Sequence, residues 1–390
     1  MRKRVVHQLR RTVAALVCVF APIVSCVCPT YAGNIPPSLP ALNTVRVGHF
    51  PIALVVDERL ARVFVVNDVD GTISVLDAVH GTVLRTIPLV PHQDLITVDA
   101  QDHHIFASSY DGAGDMLLLD AASSMVLRVV AVGTHPHAIV VDEQAQRIFV
   151  TTQDGVSMLD AVSGSVVRTV HLRSDGEPGL AAVDEQRGHV FIEAGTSIYT
   201  LDARTAAVLG SAKVGSYTSA VVAARRAGRV FVTDQKGAYY MLDARTGAVL
   251  KVVRGTRPLS GAAVDDQTGR VFVTSTGAYG MLDARTGSFL KVVPIGAYPF
   301  TTPAVDARRG HVLVISGNSR NHLGQRGGGV SVLDATTGIV QATIAVTLPP
   351  YEDTPTGLPP IAVAVDERAG RAFFTNAASD TVTVVDTTRV

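Results

Sequence analysis

Residues 135–170 read HPHAIVVDEQAQRIFVTTQDGVSMLDAVSGSVVRTV. Four short runs rich in Val, Ile and Phe stand out: Ala138 to Val141, Arg147 to Thr152, Val156 to Leu159 and Ser165 to Val170. Polar turns separate them: Asp142 to Gln146, then Gln153-Asp154-Gly155, then Asp160 to Gly164. Runs of this length with β-branched residues, bounded by Gly, Asp and Ser, are strands. No stretch of the chain keeps a helical apolar period over ten residues or more.

The same unit recurs along the chain. Leu-Asp-Ala returns at Asp77, Asp120, Asp160, Asp202, Asp243, Asp283 and Asp334, and Val385-Asp386 is a weaker eighth copy. The first five spacings are 40–43 residues and the last two are 51 and 52. A second landmark, Val-Asp, precedes seven of these copies, at Asp57, Asp99, Asp142, Asp184, Asp265, Asp306 and Asp366; in the fifth unit Ala223-Ala224 takes its place. Four strands every ~40–45 residues is the period of a propeller blade. The expected fold is therefore all-β: an eight-bladed β-propeller with four-stranded blades, seven blades being the alternative. The last unit stops after its third strand, and an orphan strand at residues 43–47 precedes the first. That N-terminal strand is expected to complete the last blade and cover both free edges of the ring.

Composition agrees with a large packed domain. The 390 residues are 47% hydrophobic and 17% charged, which excludes disorder. Lys+Arg and Asp+Glu are 34 each, so no basic excess points to nucleic acid. Residues 1–11 carry five Lys/Arg, residues 12–28 are almost wholly apolar, and Thr30-Tyr31-Ala32 precedes Gly33. This order predicts a secretory signal peptide over residues 1–32. A short linker, 33–42, then leads to a single domain over 43–390. Two other readings are an uncleaved anchor and a lipid anchor on Cys26, within Ile23-Val24-Ser25-Cys26. Cys18, Cys26 and Cys28 all lie in the segment, so cleavage after Ala32 leaves a domain without disulfides or thiol chemistry. Cleavage also leaves 29 Lys+Arg against 34 acids, a further argument against nucleic-acid binding.

The second-strand motifs RVFVTD (Arg229 to Asp234), RIFVTT, RVFVTS and RAFFTN, with GTHPHAIVVDE upstream, resemble the YVTN-type β-propeller repeat family, with Phe in place of the leading Tyr. The resemblance implies a secreted or envelope propeller, and no particular reaction. Members of that family are often seven-bladed, so a count of eight departs from the pattern.

The recurring aspartates read as turn caps, because a side chain needed eight times is not a catalytic one. Gln-Arg-Gly-Gly-Gly at 325–329 lacks the Lys-Ser/Thr pair of a phosphate loop, and 67–71 and 111–115 lack the full ligand spacing of a calcium loop. Function is expected where the repeat is broken. In an up-and-down blade the links from strand four to the next strand one share a face with the turns from strand two to three. All the long insertions, at 109–115, 316–329 and 347–360, fall on that face. The link position just before strand one holds Phe50, His92, His135, Glu177, Tyr217, Arg257 and Tyr298 in successive units. Near a channel mouth, His92, His135, His137, Glu177, Tyr217, Arg257 and Tyr298 would form a ligand-binding ring rimmed by the 316–329 loop.

These features point to an exported, noncatalytic binding or scaffold protein of the periplasm, cell surface or extracellular space. It is expected to be monomeric and to recognise a small polar ligand or a partner protein. No catalytic residue, cofactor or metal is assigned. A lactonase-type hydrolase using Glu177, His135 and Arg257 is one alternative, and a DNA-binding propeller is another. A quinone-dependent dehydrogenase would be expected to carry blade-docking tryptophans, and the chain has none.

Overall fold

The computed structural model describes residues 38–89, 94–109, 114–215, 217–295, 302–320, 326–345 and 362–390. The signal segment expected at 1–32 lies outside the described residues, as do 110–113 and the 347–360 insertion. Among the described residues no helix is long and apolar enough to cross a membrane.

The described residues form eight sheets, each built on four antiparallel strands, which follow the order of the sequence in seven blades, while blade eight takes its outer strand from the N-terminal end. Blade three, for example, comprises Ala138–Asp142, Arg147–Thr152, Gly155–Asp160 and Val166–Val170. The first strand of each blade touches the first strand of the next, all the way round and from blade eight back to blade one. The ring is therefore closed, and the first strands line its centre. The expected eight blades are present.

Closure follows the expected route. Asn43–Arg46 pairs antiparallel with Thr381–Asp386, in register Asn43 to Val384 and Arg46 to Thr381, and is the outer strand of blade eight. The Val47 N–H extends the pairing to the Asp380 carbonyl at 2.9 Å. Just upstream, Ser38–Leu39 runs parallel to Val340–Ala345 and adds a short fifth strand to blade seven.

Burial explains why the motif reads as it does. Second and third strands sit between neighbouring blades, so both their faces are covered and they become near-continuous apolar runs, as in Arg229–Asp234. The core divides into eight apolar clusters, one at each blade boundary. The motif phenylalanine is the common anchor: Phe64, Phe106, Phe149, Phe191, Phe231, Phe272 and Phe373 are all buried, with Leu313 in blade seven. Truncating one such ring to Ala typically costs about 3–5 kcal/mol. The alanine of Leu-Asp-Ala is buried too, at Ala78, Ala121, Ala161, Ala203, Ala244, Ala284 and Ala335. In blade eight Thr387 replaces it, and its buried hydroxyl donates to Asp306 of blade seven at 2.8 Å.

The recurring aspartates are turn caps, as expected. Asp243 accepts the Arg245 and Thr246 N–H groups at 3.0 Å each, and Asp283 accepts those of Arg285 and Thr286 at 3.1 and 2.8 Å. The Thr286 N–H is the main cause holding Asp283 below the usual carboxylate range, and the Thr205 hydroxyl does the same for Asp202. The Val-Asp aspartates cap the first hairpin in the same way, with Asp57 accepting from Arg59 and Leu60 at 2.9 and 3.0 Å.

One insertion departs from expectation. The segment read as a loop at 316–329 largely continues the second hairpin of blade seven. Its strands, His311–Arg320 and Arg326–Asp334, pair out as far as Arg320 opposite Arg326. A bulge between Ser316 and Ser319 lets the ladder carry on beyond the length of the other blades.

Candidate functional site

The links entering the first strands and the turns between strands two and three share one face, and carboxylates from a turn (Asp154) and from a link (Asp175) tie the two together. Asp154 accepts the Thr134 N–H at 2.8 Å, and Asp175 accepts the Thr196 N–H at 3.0 Å. Both carboxyls are held below the usual range by these donors, Thr134 N–H first for Asp154 and the Thr196 hydroxyl first for Asp175. Phe50, His135 and Tyr217 share a left-handed backbone, with φ of 59°, 46° and 62°. This repeated conformation at equivalent positions belongs to the scaffold, and it turns each link toward its first strand.

Of the seven sequence-predicted residues, the five that are described do not all come together. His92 and Tyr298 lie outside the described residues. His135, His137 and Glu177 come together at the boundary of blades three and four. His135 Nδ1 is 2.9 Å from Gln153 Oε1, Gln153 Nε2 donates to Glu177 Oε1 at 2.8 Å, and Glu177 Oε2 is 3.5 Å from His137 Nε2. The Gln153 amide, with its nitrogen toward Glu177, gives His135 Nδ1 the donor role. Arg257 and Tyr217 stand elsewhere on the ring. Arg257, two links further round, donates to the Thr276 carbonyl at 3.1 Å, and the exposed Tyr217 ring carries the Lys236 ammonium 5.2 Å from its centroid. The Glu-His-Arg group of the hydrolase alternative is thus divided, with Arg257 engaged on blade six.

Beside the His135–Gln153–Glu177–His137 chain lies a cleft of about 250 Å³. Gln153, Asp154 and Gly155 form one wall, and Leu172, Ser174 and Glu177 from the link to blade four form the other. It is smaller than the ~300–1,000 Å³ pockets that hold drug-sized molecules, so it suits a small polar group or a single side chain. Among the described residues no group of three or more His, Cys, Asp or Glu is spaced to hold a metal ion.

Two residues of this region were missed in the sequence. Gln153 sits in a strand-two-to-three turn, and the alignment of link positions passes over such turns. Glu193 is the second. The fifth residue of each second strand forms a tier: Val66, Ser108, Thr151, Glu193, Thr233, Thr274, Ile315 and Thr375. Glu193 is the single carboxylate in it, and HVFIEA beside RVFVTD was the visible signal. Burial pushes its carboxyl up to about 7, against the lowering effect of a hydrogen bond from the Leu180 backbone.

No family model matches the chain, and no curated protein matches it. Many solved structures share its fold. A computationally designed protein, Ika8, is similar over 88% of this chain and 98% of its own, with a TM-score of 0.66 and 16% identity. The dihydro-heme d1 dehydrogenase NirN, solved in complex with DHE, is similar over 88% of this chain and 75% of its own, with a TM-score of 0.65 and 15% identity. At such identities the likeness speaks for the propeller fold alone.

Proposed function

We propose that this chain is an exported, noncatalytic β-propeller of the YVTN-repeat type that binds a small polar ligand or a protein loop at the boundary of blades three and four. It acts as a monomer, in the periplasm, at the cell surface or outside the cell. The observation that carries the proposal is the hydrogen-bonded run His135–Gln153–Glu177, with His137 Nε2 3.5 Å from the Glu177 carboxylate, beside the 250 Å³ cleft. His135, His137 and Glu177 depart from the repeat, while the turn caps and core around them obey it. Polar groups fixed by one another on a rigid scaffold suit recognition, because little conformational entropy is lost when a ligand docks.

The test is a thermal-shift screen of a polar metabolite and peptide library on the wild-type protein, followed by titration of each hit. The double variant His135→Ala/Glu177→Gln is expected to lose affinity about tenfold or more, in line with removal of charge-assisted hydrogen bonds, with its melting temperature nearly unchanged. Arg257→Ala is expected to bind as wild type. Hits that bind the double variant and wild type equally well would overturn the site. Export is tested by the intact mass of protein from an envelope fraction: loss of residues 1–32 supports it, an intact Met1 on cytoplasmic protein refutes it, and a lipid mass on Cys26 transfers the anchor to that residue.

A further inference from the structure

Blades five and six satisfy the tier below the mouth in one shared way. In each, a serine at the second position of the first strand meets the tier threonine. Ser219 Oγ lies 2.9 Å from Thr233 Oγ1, and Ser260 Oγ donates to Thr274 Oγ1 at 3.0 Å. Blade four changes both partners at once: the serine becomes Gly179 and the threonine becomes Glu193.

The two changes fit each other. A Cβ built on Gly179 would collide with Glu193 Oε2, so a larger residue there would make the carboxylate shift, and glycine lets it stay in place. The first strand bulges between Pro178 and Ala181, and the bulge sends the Leu180 N–H to the Glu193 carboxylate. A carboxylate has about four acceptor sites. Glycine at 179 removes the hydroxyl that would have filled one of them from within the blade. Among the described residues no Lys, Arg or His forms an ion pair with Glu193. A half-buried carboxylate with one backbone donor and no cation is electrostatically incomplete. Gly179, against which its Oε2 sits, is the next residue along the first strand from Pro178, which lines the cleft.

On the binding site argued above, on which this inference rests, we propose that Glu193 is the recognition carboxylate for a cationic group of the ligand, a primary ammonium or a guanidinium, entering past Gly179. Such a group supplies the missing N–H donors and the missing charge together, and a charge-assisted pair in a desolvated setting is roughly twice as strong as a neutral hydrogen bond.

The probes are n-butylammonium, n-butanol and n-butyrate, which share a chain and differ in the head group. Binding to the full chain is followed by calorimetry and by the side-chain carboxyl signal of ¹³C-labelled Glu193. The wild-type protein is expected to bind the ammonium probe, and neither of the others, with a shift of the Glu193 signal. Glu193→Gln keeps the side-chain shape and is expected to weaken the ammonium probe about tenfold or more. Gly179→Ser displaces Oε2 and is expected to weaken it likewise, while circular dichroism shows the native fold for both variants. Equal binding of ammonium and butanol, unchanged affinity in Glu193→Gln, or no binding of the ammonium probe to wild type would each overturn the inference. The cleft is judged separately: if library hits depend on His135 and Glu177 but not on Glu193, the cleft stands and the cationic specificity falls.

Discussion

The hydroxyl of Tyr279, fully buried in blade six, donates to the Gly338 carbonyl in a turn of blade seven at 2.6 Å. Tyr239 makes the same contact one blade earlier, to the Gly287 carbonyl. The pairs differ in one respect. The Lys251 ammonium also reaches the Gly287 carbonyl, at 2.9 Å, whereas Lys291 donates to the Thr337 carbonyl at 3.0 Å. Removing a hydroxyl therefore orphans the acceptor in one pair and leaves it partnered in the other. Tyr279→Phe is expected to cost about 1–3 kcal/mol in urea unfolding and Tyr239→Phe clearly less. Equal costs would show that the lysine does not compensate.

The ring depends on a strand from the other end of the chain. Deleting residues 1–48 removes Asn43–Arg46 and bares the edge of Thr381–Asp386. The expected result is a lower melting temperature and edge-to-edge association, seen by light scattering. A monomer of unchanged stability would show that blade eight holds with three strands.

The turn aspartates give stability with a defined pH sense. Burial pushes the Asp243 carboxyl up, but the Thr246 and Arg245 N–H groups outweigh it and hold the group below its usual value. A depressed carboxylate stabilises the fold above its unfolded pKa, and that contribution is lost as pH falls through the folded value. Asp243→Ala is expected to cost roughly 1 kcal/mol at pH 7, by analogy with other capping aspartates. The difference from wild type should shrink below about pH 4, and ligand binding at the cleft should be spared.

Glu193 has the opposite sign. Its carboxyl is raised from 4.5 to about 7 by burial. A raised carboxyl stabilises the fold below its unfolded pKa, and that contribution is lost as pH rises toward the folded value. Glu193→Gln is therefore expected to be more stable than wild type above pH 7, with the two curves converging below 4.5. Denaturant midpoints measured from pH 4 to 8 check this, and parallel curves would place the titration elsewhere.

The sequence by itself determined the blade count, the four strands per blade, the turn caps and the closing strand. Each of these rests on short-range patterning repeated in phase: apolar runs where both strand faces are covered, and Asp two or three residues before the N–H groups it caps. Covering bare sheet edges then leaves residues 43–47 one place to go. The candidate site was legible only in part. His135, His137 and Glu177 could be picked out because they break the repeat at a link, but that they meet through Gln153 depends on a turn from one blade approaching the link to the next. Tertiary structure also set Arg257 apart on blade six, carried the 316–329 segment into a longer hairpin and placed Ser38–Leu39 on blade seven. The pairing of Glu193 with Gly179 needed it most. The two are 14 residues apart, on different strands, and meet because a bulge shifts the register between Pro178 and Ala181. Local patterns fix which residues form strands and turns, whereas contacts across a bulge or a blade boundary follow from how the finished strands pack.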